Sequence, residues 1–243
     1  MDKIAFKLYP ECHYLSSSNA LVQNIVWIIV PGLLETPWTD VWIESYANSL
    51  NNFGWGIIAI NPHWKQITNI NDDVNAYHYQ WQLSEILKEW FDLHNNKSNA
   101  FIGYIAFSQG GCQTINFLLD SPLVHNIIHN HSLNLWIGGP ILLDPYPLEN
   151  DDILKLCPIK NKRSIECIAP LLDKMLIYSV DGNARKIERL PIGLWTAELL
   201  GVSNKKNWLG NKILVTKNNV DHSDIPTSVL SDVLDYCQLL VKK

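Results

Sequence analysis

Apolar residues recur along this chain in short unbroken runs rather than in strict alternation with polar ones. Asn24 to Val30, read Asn-Ile-Val-Trp-Ile-Ile-Val, stops at Pro31-Gly32. The pattern returns at Gly56 to Ile60 before Asn61-Pro62, at Phe101 to Phe107 before Ser108, and at Leu133 to Ile137 before Gly138-Gly139-Pro140. It returns twice more, at Lys174 to Val180 before Asp181-Gly182 and at Lys212 to Thr216 ahead of Asp221-His222. Continuous β-branched runs of this length mark strands covered on both faces. Six buried strands are therefore predicted, and Ile4 to Leu8 could add an antiparallel edge strand.

Between these runs the period changes to that of helices: Thr39 to Asn51, Val74 to Leu93, Gln109 to Leu119, Ala184 to Leu200 and Ser223 to Leu240. Pro191 breaks or kinks the fourth, and Pro226 sits in the first turn of the fifth. Strands alternating with helices predict an α/β fold, a mostly parallel central sheet flanked by helices on both faces. All 243 residues are read as one domain. The segment 141–172 interrupts the alternation with Pro145, Pro147, Pro158 and Pro170, the acidic Glu149-Asp151-Asp152 and the basic Lys160-Lys162-Arg163. It is expected to be a cap inserted over the carboxyl ends of the strands, where open α/β sheets bind ligands. Its basic cluster is expected to be the cap's exposed face.

Hydrophobic residues make up 47% of the chain and charged ones 18%, with a net charge of −5. That balance supports a buried core and argues against nucleic acid as a partner. The apolar stretch from Ile25 is broken at Pro31-Gly32, well short of the roughly 20 residues of a membrane span, and Met1-Asp2-Lys3-Ile4 lacks the form of a secretory signal. A cytoplasmic location is expected. Five scattered cysteines without a C-x-x-C pair suggest neither a disulfide framework nor a thiolate zinc site. Reduced, mostly buried thiols are expected, Cys112 among them.

The sharpest local feature is Ala106-Phe107-Ser108-Gln109-Gly110-Gly111, where a buried strand meets a helix. A serine at such a junction is ordinarily an N-cap. This one has small residues two before and two after it, which a very tight strand-turn-helix requires. The string resembles the G-x-S-x-G nucleophile elbow of the α/β-hydrolase superfamily, with Ala106 in place of the first glycine. Phe-Ser-Gln-Gly-Gly is similar to the acyl-protein thioesterase and carboxylesterase branch.

The resemblance implies a triad in chain order serine, acid, histidine, each at a strand end. Ser108 is the implied nucleophile. Asp181, directly after the strand Lys174 to Val180, is the expected acid, and His222, between the last strand and the last helix, the expected base. Asp144 ranks second as the acid because Gly139-Pro140-Ile141-Leu142-Leu143 separates it from the end of the predicted strand. The backbone N–H groups of Gln109 and of Leu33, in the turn after the first buried strand, are the implied oxyanion donors. Trp38 and Trp64 follow strand ends and are candidates for an acyl pocket, while most of the ten tryptophans are expected to pack in the core.

His125, His129 and His131 form the one histidine cluster, but no cysteine or carboxylate joins them nearby, so no metal site is assigned. The implied activity is serine-dependent cleavage of an ester or thioester of a small-molecule acyl substrate, free or carrier-bound, with no metal or organic cofactor. The alternative is a non-hydrolytic protein of the same scaffold: a lyase, cyclase or acyltransferase, or a binding protein with a dormant triad.

Overall fold

The computed structural model describes residues 3–5, 13–15, 24–32, 35, 40–61, 83–90, 92, 100–129, 135–145, 162–181 and 191–242. Among the described residues nine strands make one sheet: β1 Lys3–Ala5, β2 His13–Leu15, β3 Ile25–Val30, β4 Gly56–Ala59, β5 Ala100–Phe107, β6 Leu135–Ile137, β7 Ile141–Leu143, β8 Leu176–Val180 and β9 Leu214–Lys217. Their order across the sheet is β1-β2-β4-β3-β5-β7-β8-β9, with β6 also paired to β5. β1 and β2 pair antiparallel, as do β2 and β4, and every other pairing is parallel. The edge strand expected at Ile4 to Leu8 thus lies at Lys3–Ala5, and β2 is a strand the periodicity did not reveal.

Described helices are α1 Val41–Asn52, α2 83–90, α3 Gln109–Asp120, α4 Pro122–His129, α5 Lys162–Cys167, α6 Ala169–Leu172, α7 Ile192–Leu199, α8 Ile225–Ser228 and α9 Leu230–Val241. Alternate residues of each buried strand feed two separate cores. Val26, Ile28, Ile102, Tyr104, Ala106, Leu142 and Ile177 join side chains of α2, α3, α4, α6 and α7 on one face. Trp27, Ile29, Ile105, Phe107, Leu143, Tyr178 and Val180 join α1 and α9 on the other. This two-sided cover explains why the strands read as unbroken apolar runs. The Trp27 ring packs against β5, and a Cβ on Gly103 would come within 2.3 Å of it, so only glycine fits there.

One strand boundary matters for function. The run Leu133 to Ile137 was predicted to stop at Gly138-Gly139-Pro140, but the chain rejoins the sheet as β7. Gly103 and Tyr104 of β5 stand opposite three residues, Gly138 to Pro140, so the interruption is a one-residue bulge. Proline, lacking an N–H, is tolerated there because the neighbours keep the ladder going. Gly138 N–H donates to Ile102 O (2.8 Å), and Leu176 N–H donates to Pro140 O (3.1 Å).

The segment expected as a cap, 141–172, therefore opens with a sheet strand. It closes with α5 and α6, around which Ile168, Leu171 and Leu172 are buried in the core. Residues 146–161, with Lys160, lie outside the described residues. Lys162 and Arg163 open α5.

Candidate active site

β5 ends at Phe107, and the backbone must reverse within one residue for α3 to begin at Gln109. Ser108 makes that reversal at φ 52, ψ −122, a conformation that side chains other than glycine seldom adopt. Two close approaches explain the glycines that follow. A Cβ on Gly110 would lie 2.2 Å from Pro31 O, and one on Gly111 would lie 2.7 Å from Pro145 Cβ. The bare first turn of α3 thus wedges between the chain leaving β3 and the chain leaving β7. Ala106 is fully buried in the first small position and pairs with Val30 and Leu142.

His222 Nε2 lies 2.9 Å from Ser108 Oγ, and His222 Nδ1 lies 2.6 Å from Asp144 Oδ2. Since a carboxylate accepts, Nδ1 carries the proton toward Asp144, which leaves Nε2 to accept from the Ser108 hydroxyl. Asp144 is completely buried, and its other oxygen, Oδ1, accepts from the N–H of Gly193 (3.1 Å) and of Val180 (3.3 Å). A Cβ on Gly193 would sit 2.9 Å from that oxygen, so the α7 amide reaches Asp144 because residue 193 is glycine. A buried carboxylate with both oxygens hydrogen-bonded avoids the cost of an unpartnered charge.

The carboxylate that meets His222 is thus that of Asp144 and not that of Asp181, where the sequence placed it. β7 carries the chain past the glycine-proline bulge, so Asp144 follows the strand end directly, at φ 44, next to the Ser108 turn. Ser108 N–H donates to Leu143 O (3.1 Å), and Asp144 N–H to Tyr178 O (2.8 Å). Asp181, one strand further on, accepts from Asn219 N–H at 3.3 Å. It braces the loop that delivers His222.

Aromatic packing holds the imidazole from the side. The Phe107 ring stacks on His222 with centroids 4.7 Å apart, and Trp42 of α1 meets Phe107 edge-on at 5.8 Å. Glu35, a residue the sequence did not single out, completes this wall. Its Oε1 accepts from Trp42 Nε1–H (3.0 Å) and its Oε2 from Gly32 N–H (2.6 Å). Burial raises the Glu35 carboxyl above the usual carboxylate range, with nearby Asp40 adding to the effect. The two hydrogen bonds and His222 oppose it.

Gln109 N–H lies in the first turn of α3, where a helix offers no carbonyl of its own. The other sequence candidates, Leu33, Trp38 and Trp64, lie outside the described residues. His125 and His129 fall on α4, which packs against β6 at the end of β5 opposite Ser108, and His131 lies outside the described residues. Among the described residues no group of histidine, cysteine, aspartate or glutamate is arranged to hold a metal. Cys112, expected to be a free thiol, is disulfide-bonded, its partner outside the described residues; such pairing depends on chain proximity that sequence spacing does not display. Among the tryptophans, Trp136 and Trp195 are exposed rather than core residues.

No protein-family model and no curated protein matches the chain. Solved structures do. Est1E from Butyrivibrio proteoclasticus, solved with ferulic acid bound, superposes with a TM-score of 0.61 at 15% identity over 96% of this chain and 95% of its own. A dienelactone hydrolase from Anabaena variabilis gives 0.60 at 9% identity over 98% of both chains. An S-formylglutathione hydrolase from Agrobacterium tumefaciens gives 0.57 at 12% over 98% and 94%. The chain has the α/β-hydrolase fold. No helix among the described residues is long and apolar enough to cross a membrane.

Proposed function

We propose that the protein is a serine hydrolase that cleaves a carboxylic ester or thioester of a small molecule through an acyl-serine intermediate. The observation that carries this reading is the unbroken relay from Ser108 Oγ to His222 to Asp144, with hydrogen bonds of 2.9 and 2.6 Å. An N-cap serine would need neither the strained backbone nor a histidine with a buried carboxylate behind it.

In this mechanism Ser108 Oγ attacks the carbonyl carbon while its proton passes to His222 Nε2. Asp144 holds the ring in the Nδ1–H tautomer and stabilises the imidazolium that forms. The C–O or C–S bond of the tetrahedral intermediate then breaks, and His222 returns the proton to the departing alcohol or thiol. Water, deprotonated by the same imidazole, cleaves the acyl-serine and regenerates the enzyme.

The developing oxyanion is received by Gln109 N–H and by a donor from the loop after β3, for which Leu33 N–H is the candidate. Each such donor contributes about 3 to 4 kcal/mol to the transition state. The esterase, dienelactone hydrolase and S-formylglutathione hydrolase named above support hydrolytic chemistry on this fold. Fold likeness at such identity does not select the substrate.

The test is exposure of the purified protein to a fluorophosphonate, read by intact mass beside Ser108→Ala. One adduct on the wild type and none on the variant is the expected result. No adduct on folded wild-type protein, together with no turnover of p-nitrophenyl or thioester acyl chains, would instead favour a non-hydrolytic or binding role.

A further inference from the structure

The Glu35 carboxylate bridges two parts of the site wall, the turn after β3 and Trp42 of α1. On one side it accepts from Gly32 N–H (2.6 Å), while its own N–H donates to Gly32 O (3.3 Å), so the turn after β3 is closed through both backbone and side chain. On the other side it accepts from Trp42 Nε1–H (3.0 Å), and Trp42 packs edge-on against the ring of Phe107 that stacks on His222. Gly32 is pressed against the same ring, since a Cβ there would lie 3.0 Å from Phe107 Cδ1 and 3.1 Å from Glu35 Oε2.

Neutral side chains such as Asn or Ser commonly close turns by local hydrogen bonding. Here a carboxylate does so in a half-buried place where its charged form is disfavoured. Such an arrangement is a candidate for a functional rather than a structural constraint.

We infer that Glu35 is a positioning residue of the active site, fixing the turn after β3 and the Trp42–Phe107 wall in the arrangement that holds His222 ready to take the Ser108 proton. It acts through Gly32, Trp42 and Phe107 and touches neither nucleophile nor substrate. The inference rests on the serine-hydrolase reading above. Among the described residues, the charged or titratable groups acting on Glu35 are Asp40 and His222. The ionised carboxylate is the stronger acceptor for Gly32 N–H and Trp42 Nε1–H. Its contribution is therefore present where the carboxyl is ionised and is lost as pH falls and the carboxyl takes up a proton.

The experiment measures p-nitrophenyl acetate hydrolysis and fluorophosphonate labelling rates across pH for wild type, Glu35→Gln, Glu35→Ala and Trp42→Phe, with Ser108→Ala as the blank. Misplacing the site wall is expected to lower kcat by about 10- to 100-fold in Glu35→Ala, with KM within about threefold of wild type. Glu35→Gln, which keeps an acceptor, should fall between. Trp42→Phe, which loses the indole donor but keeps an aromatic ring, should move in the same direction.

The ratio of wild-type to Glu35→Gln activity should shrink on acidification, a dependence that a purely structural turn would not produce. If Glu35→Ala fails to fold, Glu35→Gln and Trp42→Phe carry the same comparison. Wild-type-like rates in both of these at every pH, or losses that track melting temperature with no pH dependence, would overturn the inference while leaving Ser108 labelling intact. If the wild type itself is neither labelled nor active, the hydrolase reading fails and this inference falls with it.

Discussion

Asp144 and His222 lie 78 positions apart in the sequence and meet at 2.6 Å, carboxylate Oδ2 to imidazole Nδ1. Their contact depends on β7 reaching Leu143 past a bulge that contains both glycine and proline. It also depends on a loop after β9 that Asp181 ties down through Asn219 N–H. The two aspartates thus have separable consequences. Asp144→Asn should leave the wrong histidine tautomer and cost about 10⁴ in kcat. Asp181→Asn removes a charge but keeps an oxygen that can accept from Asn219 N–H, and should cost less than about tenfold. Steady-state kinetics of the two variants decide the matter, and the reverse order would return the acid role to Asp181.

Ser108 sits in a backbone conformation that disfavours a side chain. Ser108→Gly should therefore abolish turnover yet stabilise the fold by about 1 to 2 kcal/mol, since glycine adopts positive φ at little cost. Thermal or urea unfolding beside Ser108→Ala would test this. A lower melting temperature for the glycine variant would mean that the elbow is not strained.

Gly193 should be intolerant of even one methyl. A Cβ there meets Tyr178 O at 2.7 Å and Asp144 Oδ1 at 2.9 Å, and neither the strand carbonyl nor the buried carboxylate is free to move aside. Gly193→Ala is expected to lower stability by about 1 to 3 kcal/mol. By displacing the amide that donates to Asp144, it should also lower kcat more than KM rises. Unchanged kinetics in a destabilised but folded variant would separate this amide from the relay.

Burial sets the sign of a pH effect at Glu35. A carboxyl raised above its ordinary range keeps its proton in the folded state at pH values where the unfolded chain has released it. Ionised Glu35 then weighs against folding at higher pH, and that penalty disappears as pH falls through its raised range. The melting temperature of wild type relative to Glu35→Gln should therefore decline as pH rises through that range. A difference that stays constant with pH would show that the carboxyl is not perturbed.

Cys237 is fully buried in α9, and loss of hydration holds its thiol well above the ordinary range. Since the thiolate is the reactive form, Cys237 should resist iodoacetamide in the folded protein and label only on unfolding, whereas the half-buried Cys167 should label first. Peptide mapping of alkylated protein distinguishes them. Early labelling of Cys237 would indicate local opening of α9.

What the sequence determined is what short-range chemistry controls. Unbroken β-branched runs bounded by turn residues favour strands covered on both faces, so the α/β class followed from Val26 to Val30 and its repeats, although the last of them, β9, is only partly buried. A serine with small residues two before and two after it at a strand-helix junction pointed to Ser108 from the sequence alone, although the crowding that demands Gly110 and Gly111 comes from Pro31 and Pro145, far away in the chain.

Tertiary structure decided the features that rest on distant partners. Gly138-Gly139-Pro140 has the composition of a strand terminator. Only pairing with β5 on one side and β8 on the other turns it into a bulge, and that added length placed Asp144 rather than Asp181 against His222. Glu35 gave no signal in sequence, since a lone glutamate reads as an ordinary surface residue until Gly32 and Trp42 close around it. The Cys112 disulfide likewise depends on a proximity that no spacing reports. Local pattern fixes most of the buried strands and the Ser108 turn, while β2, β7 and the side chains that meet are set by the register and packing of strands far apart in the chain.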